Sequence, residues 1–141
     1  GELLKTDLLK KLEYLEEITN KIKQRSPEVF TEYKERLTAK IAETLADSKL
    51  DESVLATELV IYADKICVDE ELVRLQSHIC HIRETLEKEE TVGRKLDFIT
   101  QELNREANTT LSKANDIIIA DLGILLKTEI EKIREQIQNL E

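Results

Sequence analysis

Apolar residues recur along most of this chain at spacings of three and four, which is the period of one face of an α-helix. The first such stripe covers residues 4–22. Ser26 and Pro27 follow it, a pair typical of the start of a new helix, and a second stripe occupies residues 29–45. Two amphipathic helices joined by a short turn predict an N-terminal helical hairpin over residues 1–47.

Three further stripes, over residues 55–66, 72–86 and 96–107, each predict another helix. The last segment, residues 112–141, is predicted to be one long helix. Strand-like alternation is not sustained anywhere, so we predict an all-α fold, an elongated bundle of about six helices with residues 51–141 as its second unit. The inner side of the last helix is predicted to be Ile118, Leu122, Leu125, Glu129, Ile133, Ile137 and Leu140.

Composition supports this class. Charged residues make up 36% and hydrophobic residues 40%, with three Gly and one Pro, a mixture typical of long amphipathic helices. Cys67 and Cys80 have neither the number nor the spacing of a disulfide framework or a zinc site, and Cys80 is predicted to be a small core residue. No long apolar run or signal-peptide pattern occurs, so we expect a cytoplasmic protein.

The charge balance limits the possible partners. The formal net charge of −9 argues against a free-standing nucleic-acid-binding protein and against an anionic membrane surface. Between residues 92 and 113, however, basic residues outnumber acidic ones by one, so a phosphate group could be bound there. We expect no membrane partner and no DNA partner.

Polar side chains with possible chemistry lie on the fourth predicted helix. Glu71, Arg74, His78 and His81 follow one another at steps of three and four, which keeps them on one side. Glu71 and His78 span two turns, about 10 Å, so one ion would need a further ligand from another element. The alternative is a solvated face with an ordinary Glu–Arg pair.

The fifth predicted helix carries a denser polar cluster. Glu102 and Glu106 form an acidic pair one turn apart, which repels unless an ion or an Arg lies between them. A divalent ion such as Mg²⁺ or Mn²⁺ would suit this pair, and Arg105 would compensate it in the alternative reading. The cluster comprises Gln101, Glu102, Asn104, Arg105, Glu106 and Asn108.

Longer motifs in the second part of the chain resemble a known family. They lie at residues 58–65, 70–75, 77–78, 92–98, 101–106, 108–109, 112–114 and 131–141. Their identity and order resemble the C-terminal half of the YicC/YloC family of bacterial endoribonucleases. The resemblance is strong from residue 50 onward and looser over the first predicted helices.

This resemblance implies that the chain is the C-terminal fragment of a longer protein. We expect the isolated fragment to be inactive. It implies metal-dependent cleavage of single-stranded or structured RNA by ring-shaped homo-oligomers, expected to be hexamers. Glu71, Glu102, Glu106 and His78 would be the catalytic residues and the ligands of Mg²⁺ or Mn²⁺. The implied phosphate-binding residues are Arg74, Arg94, Arg105 and Lys113, with Gln101, Asn104 and Asn108 as polar support.

Two residues depart from the family pattern. Cys67 stands where an Asp usually precedes the Glu70–Glu71 pair, either as a metal ligand or as a helix cap that Asp69 could replace. Leu111 replaces a usual Gly, which matters only if that position needs a positive φ. The alternative functions are a helical oligomerisation scaffold without catalytic residues of its own, and a plain helical interaction domain unrelated to RNA.

Overall fold

The computed structural model describes residues 2–45, 51–88 and 93–140. The described residues form α1 (Glu2–Thr44), α2 (Glu52–Ile66), α3 (Asp69–Glu87), α4 (Gly93–Lys113) and α5 (Ile117–Gln138). No strand occurs within these ranges, so the predicted all-α class is confirmed, with five described helices in place of about six. None of the described helices is long and apolar enough to cross a membrane.

The N-terminal hairpin prediction is wrong, because α1 continues through Pro27 as one helix of 43 residues. Ser26 does not cap a new helix; its hydroxyl donates to the carbonyl of Ile22, one turn back, at 2.8 Å. Proline inside a helix costs about 3 kcal/mol relative to alanine. Here Pro27 is exposed, while Ile22 and Val29 on either side of it are buried, and their burial offsets that cost.

The buried stripe of α1 faces α3 and α5. Its members Leu8, Leu15, Ile22 and Val29 recur at every seventh residue, the spacing that keeps one face turned toward a partner helix. These side chains belong to the same core cluster as those of α3, α4 and α5. The described residues of the two predicted units therefore share one core.

The second part of α1 and all of α2 lie at the margin of this core. Beyond Val29 no described residue of α1 is buried, and Tyr62 is the buried residue of α2. The rings of Tyr33 and Tyr62 stack with centroids 3.5 Å apart. Asn115 donates its amide to the Tyr62 hydroxyl at 3.1 Å, which links α2 to the start of α5.

The predicted inner side of the last helix is partly wrong. The predicted single helix is interrupted at residues 114–116. Asp116 caps α5 by accepting a hydrogen bond from the backbone N–H of Ile119 at 3.1 Å. Ile118 and Leu125 then point outward, whereas the predicted inner residues Glu129, Ile133 and Ile137 are buried. The first half of α5 is apolar nearly all round, so the apolar pattern did not determine which side faces the core.

Cys80 is also not a core residue. It is exposed, as is Cys67. The buried face of α3 passes through Ile79 and Ile82, and Cys80 is rotated out of it by about 100°.

Candidate functional site

Helices α3 and α4 pack against each other in antiparallel orientation, and two ion pairs cross between them. Lys113 Nζ donates to Glu71 Oε1 at 2.9 Å. Arg74 Nε donates to Glu106 Oε1 at 2.8 Å. Because residue numbers rise along α3 as they fall along α4, the fold brings together four predicted site residues that lie up to 42 positions apart.

The two partners in each pair differ sharply in burial. The side chains of Glu71 and Glu106 are 4% and 7% exposed, whereas those of Lys113 and Arg74 are 35% and 45% exposed. A buried carboxylate is costly without a compensating cation, and these two are compensated from the solvent side. The arrangement therefore presents two anchored cations at the surface, above two buried acids.

Both cations converge on one oxygen atom. Arg74 Nη2 lies 3.6 Å from Glu71 Oε1, the same atom that Lys113 binds. Lys113 Nζ also donates to the backbone carbonyl of Cys67 at 3.2 Å, which fixes the end of α4 against the link between α2 and α3. The two cationic side chains are thus held in fixed positions before any ligand binds.

The electrostatics favour the charged forms. Burial is the largest single influence on Glu71 and works against its ionisation, but the hydrogen bond from Lys113, a backbone hydrogen bond and the charges of Lys113 and Arg74 together outweigh it, so the pKa of this carboxyl lies below its ordinary value. The hydrogen bond to Glu71 raises the pKa of Lys113, and the bond to Glu106 raises the pKa of Arg74. Glu71, Lys113 and Arg74 are therefore charged at neutral pH.

His78 and Glu102 lie next to these pairs. His78 follows Arg74 by one turn of α3, and Glu102 precedes Glu106 by one turn of α4. Since the helices are antiparallel, both residues are displaced in the same direction from the Arg74–Glu106 contact. His78 Nε2 is buried and has no hydrogen-bond partner among the described residues.

The predicted metal ligands do not form a metal site in this arrangement. Across residues 2–45, 51–88 and 93–140, no group of three or more His, Cys, Asp or Glu is placed to hold an ion. The Oε1 atoms of Glu71 and Glu106 are each bound to a cation. Glu71 Oε2 is buried without a hydrogen-bond partner in the described part of the chain, but one free oxygen does not make a binding site. Metal dependence stays a prediction, and the positions of these residues do not suit a metal site.

The other predicted site residues lie away from the ion pairs. Arg94, Gln101, Arg105 and Asn108 are exposed on the outward face of α4, and Asn104 is exposed on a different side of that helix. Residue spacing identified the polar side of each helix. It gave no signal that Lys113 would pair with Glu71, because that contact depends on how α3 packs against α4.

The structure bears on the capping role considered for residue 67 and on the backbone at Leu111. Cys67 follows the last residue of α2, and the capping position of α3 is occupied by Val68, which makes no side-chain cap hydrogen bond. Asp69 is the first residue of α3 and does not replace the cap. Leu111 lies within α4, so a positive φ is not needed there.

The fold is an all-helical domain, and its candidate site is a pair of surface cations held on buried carboxylates. The chain belongs to the family described as endoribonuclease YicC-like, C-terminal, whose model matches residues 22–141. That match begins inside α1 and includes every residue of the two ion pairs.

Two curated relatives match the whole chain. It is 45% identical over 142 residues to the probable endoribonuclease YicC of Clostridioides difficile (strain 630), with 100% of the chain and 48% of the relative covered. It is 40% identical over 141 residues to the probable endoribonuclease YicC of Haemophilus influenzae (strain ATCC 51907 / DSM 11121 / KW20 / Rd), again covering 100% and 48%. The chain thus spans about half the length of these relatives.

Proposed function

We propose that the chain is the C-terminal part of an endoribonuclease that cleaves single-stranded or structured RNA at the α3–α4 site. The observation that carries the proposal is the pair of cations, Arg74 and Lys113, held at the surface over buried carboxylates beside His78. Family membership and the names of the relatives support the same class of reaction.

In this proposal, Arg74 and Lys113 bind the RNA phosphate and neutralise the charge that develops on it during cleavage. Such stabilisation is most effective when the donors are fixed in advance, because no reorganisation is then needed during the reaction. Glu71 and Glu106 fix these two donors from beneath. The buried acids are therefore positioning residues for the phosphate-binding groups.

Cleavage of a phosphodiester bond also needs a proton taken from the attacking oxygen and a proton given to the leaving oxygen. Imidazole and carboxylate groups are the side chains most often used for such transfers. His78, with its unpartnered Nε2, and Glu102, displaced to the same level of the helix pair, are the proposed proton-transfer residues.

Dependence on Mg²⁺ or Mn²⁺, assembly into a homohexamer and a cytoplasmic location belong to the proposal through the family resemblance alone. None of the roles given above to Arg74, Lys113, His78 or Glu102 requires a bound ion. Removal of divalent ions with a chelator tests the metal separately. Retained cleavage after chelation would refute metal dependence and leave the other assignments in place.

The direct test is cleavage of a labelled RNA by the full-length protein carrying Glu102→Gln. We expect the rate to fall by about 100-fold or more, the usual contribution of a general acid or base. Glu35→Gln is the matched control, because Glu35 is an exposed glutamate of α1 away from the site. Cleavage by Glu102→Gln at the rate of the control would refute the proposed role.

A second candidate function, an oligomerisation scaffold, is favoured by one specific observation. The outward face of the first half of α5 is apolar, with Ile117 77%, Ile118 47%, Ile124 57% and Leu125 36% exposed. A helix that is apolar all round is normally buried, which suits contact with a second copy of the protein.

Ile117→Glu/Ile124→Glu in the full-length protein tests the scaffold function. If α5 holds copies together, light scattering will show a smaller assembly for this double variant. Val73→Glu, at an exposed apolar residue of α3, is the control. If this chain is only a scaffold, Glu102→Gln will leave RNA cleavage unchanged, which separates the two candidate functions.

A further inference from the structure

The outward face of α4 differs in charge from the rest of this acidic protein. At about 100° per residue, six exposed residues of α4 fall within a narrow stripe along the helix. We call this set the α4 stripe. Its members are Arg94, Phe98, Gln101, Arg105, Asn108 and Ser112.

The α4 stripe contains no acidic residue, although the chain has 30 Asp and Glu. All of α4 is described, and its three acids lie off the stripe. Asp97 lies 3.5 Å from Arg134 and accepts a hydrogen bond from Gln101 at 3.1 Å, Glu106 is buried against Arg74, and Glu102 lies toward α3. The stripe therefore carries the two positive charges of Arg94 and Arg105 and the hydrogen-bonding groups of its amides and hydroxyl.

Phe98 is the unusual member of the stripe. Its side chain is 62% exposed, whereas its neighbours Leu96 and Ile99 are 0% and 3% exposed in the core. An exposed ring gains nothing from core packing. Arg94 precedes Phe98 by about one turn and Arg105 follows by about two turns on the same face.

We propose that the α4 stripe binds a single strand of RNA, with a base stacked on Phe98 and the flanking arginines on phosphates. This inference rests on the proposed function and adds a binding residue to it. An exposed aromatic ring flanked by arginines is an element from which single-strand binding surfaces are built, since every base offers a π-face. A protein partner would also bury Phe98, but the two arginines and the amides favour a polyanion with hydrogen-bonding bases.

The position of the stripe fits this role. Glu102 and Lys113 lie on the same helix, roughly a quarter turn around from the stripe. A strand held along the outward face of α4 therefore passes beside the proposed cleavage site. The stripe would hold the substrate while Arg74 and Lys113 bind the phosphate to be cleaved.

The chain contains no tryptophan, which permits a direct optical test. We would introduce Phe98→Trp into the 141-residue chain and titrate it with an oligouridylate. Stacking of a base on the indole predicts saturable quenching of the tryptophan fluorescence. Val73→Trp is the matched control, because Val73 is 68% exposed on α3, and its fluorescence should stay constant.

Inorganic polyphosphate distinguishes stacking from charge attraction, because it has phosphates but no bases. We expect it to compete with the oligouridylate without quenching the tryptophan of Phe98→Trp. The inference would be overturned if both probes quenched the tryptophan equally. It would also be overturned if anisotropy of labelled RNA detected a complex in which the tryptophan stayed unquenched. Equal quenching of Val73→Trp would overturn it as well.

A second variant keeps the test independent of the indole. Phe98→Leu retains an apolar side chain but removes the aromatic ring, and we expect it to weaken binding of the oligouridylate by about tenfold. In the full-length protein it should raise KM for RNA with little change in kcat. Unchanged affinity and KM would overturn the inference and leave the proposed function standing, whereas failure of the unaltered full-length protein to cleave RNA would overturn the proposed function itself.

Discussion

At the scale of single residues, Glu71 shows why burial and charge must be considered together. Its carboxylate is almost completely removed from solvent, yet Lys113 keeps it ionised from the exposed side of the helix pair. Removing one partner of such a pair leaves an uncompensated charge, whereas replacing both can be nearly neutral. This asymmetry yields a stability test that needs no substrate.

We predict that Lys113→Gln lowers the free energy of unfolding by about 1–2 kcal/mol, a value reduced by the partial exposure of the lysine. The double variant Glu71→Gln/Lys113→Gln should recover most of this loss, because no buried charge is left unpaired. Urea unfolding of the chain and the variants measures both. If the free energy of unfolding of the double variant is lower than that of Lys113→Gln by about a further 1–2 kcal/mol, the pairing is contradicted.

Arg25 has three acidic partners. Its guanidinium donates to both carboxylate oxygens of Asp116, at 3.1 and 2.9 Å, and also to Glu28 and Glu32. The hydrogen bond from Arg25 is the main reason why the pKa of Asp116 lies below its ordinary value. Asp116 also caps α5, so this contact fixes the start of that helix against α1.

We predict a pH-dependent loss of stability from Asp116. Because its folded pKa lies below the unfolded value of about 3.9, its contribution is complete above that pH and disappears as the pH falls through the folded pKa. Asp116→Asn keeps a good cap but removes the charge, and should cost about 1–2 kcal/mol at pH 7. Urea unfolding should show the gap between the two proteins closing below about pH 3.9. A gap that is independent of pH would contradict the pairing with Arg25.

At the scale of helices, local signals predicted the starts of α2 and α3 well. Asp51 caps α2 by accepting from the N–H of Ser53, and α3 begins at the run of acids from Asp69. The signal at Pro27 was misleading, because the burial of Val29 beyond it is a tertiary effect. Likewise, no local signal fixes the rotation of α5, whose first half is apolar nearly all round.

The crossing of α4 and α5 gives a prediction at this scale. A Cβ added at Gly123 would lie 2.7 Å from Leu111 Cδ2 and 2.8 Å from its Cγ, so the helices are packed as closely as the glycine allows. We expect Gly123→Ala to lower the free energy of unfolding by about 1 kcal/mol, because overpacking costs more than the helix propensity gained. Leu111→Ala should remove that penalty in the double variant, which a double-mutant cycle in urea measures. Additive effects at the two positions would contradict the close packing.

At the scale of the whole molecule, the sequence predicted the all-α fold class and the two helices that carry the site. It did not predict how these two helices pack against each other. Glu71, Arg74 and His78 share a side of α3 because their spacing requires it. Their contacts with Glu106 and Lys113 depend on the antiparallel packing of α3 and α4, which the helical period cannot specify. The sequence offered pairing of these acids with an Arg of the same helix as an alternative to a metal site, but it did not indicate the cations that reach them from the neighbouring helix.

The most direct test of the central claim is the rate of RNA cleavage by the full-length protein carrying Glu71→Gln/Lys113→Gln. This double variant removes one anchored cation together with the acid that positions it, so its fold should be preserved. We predict unfolding close to that of the unaltered protein and a cleavage rate lower by about tenfold or more, the loss expected when a charged transition-state contact is removed. Cleavage at the unaltered rate by the folded double variant would show that this ion pair does not serve the reaction.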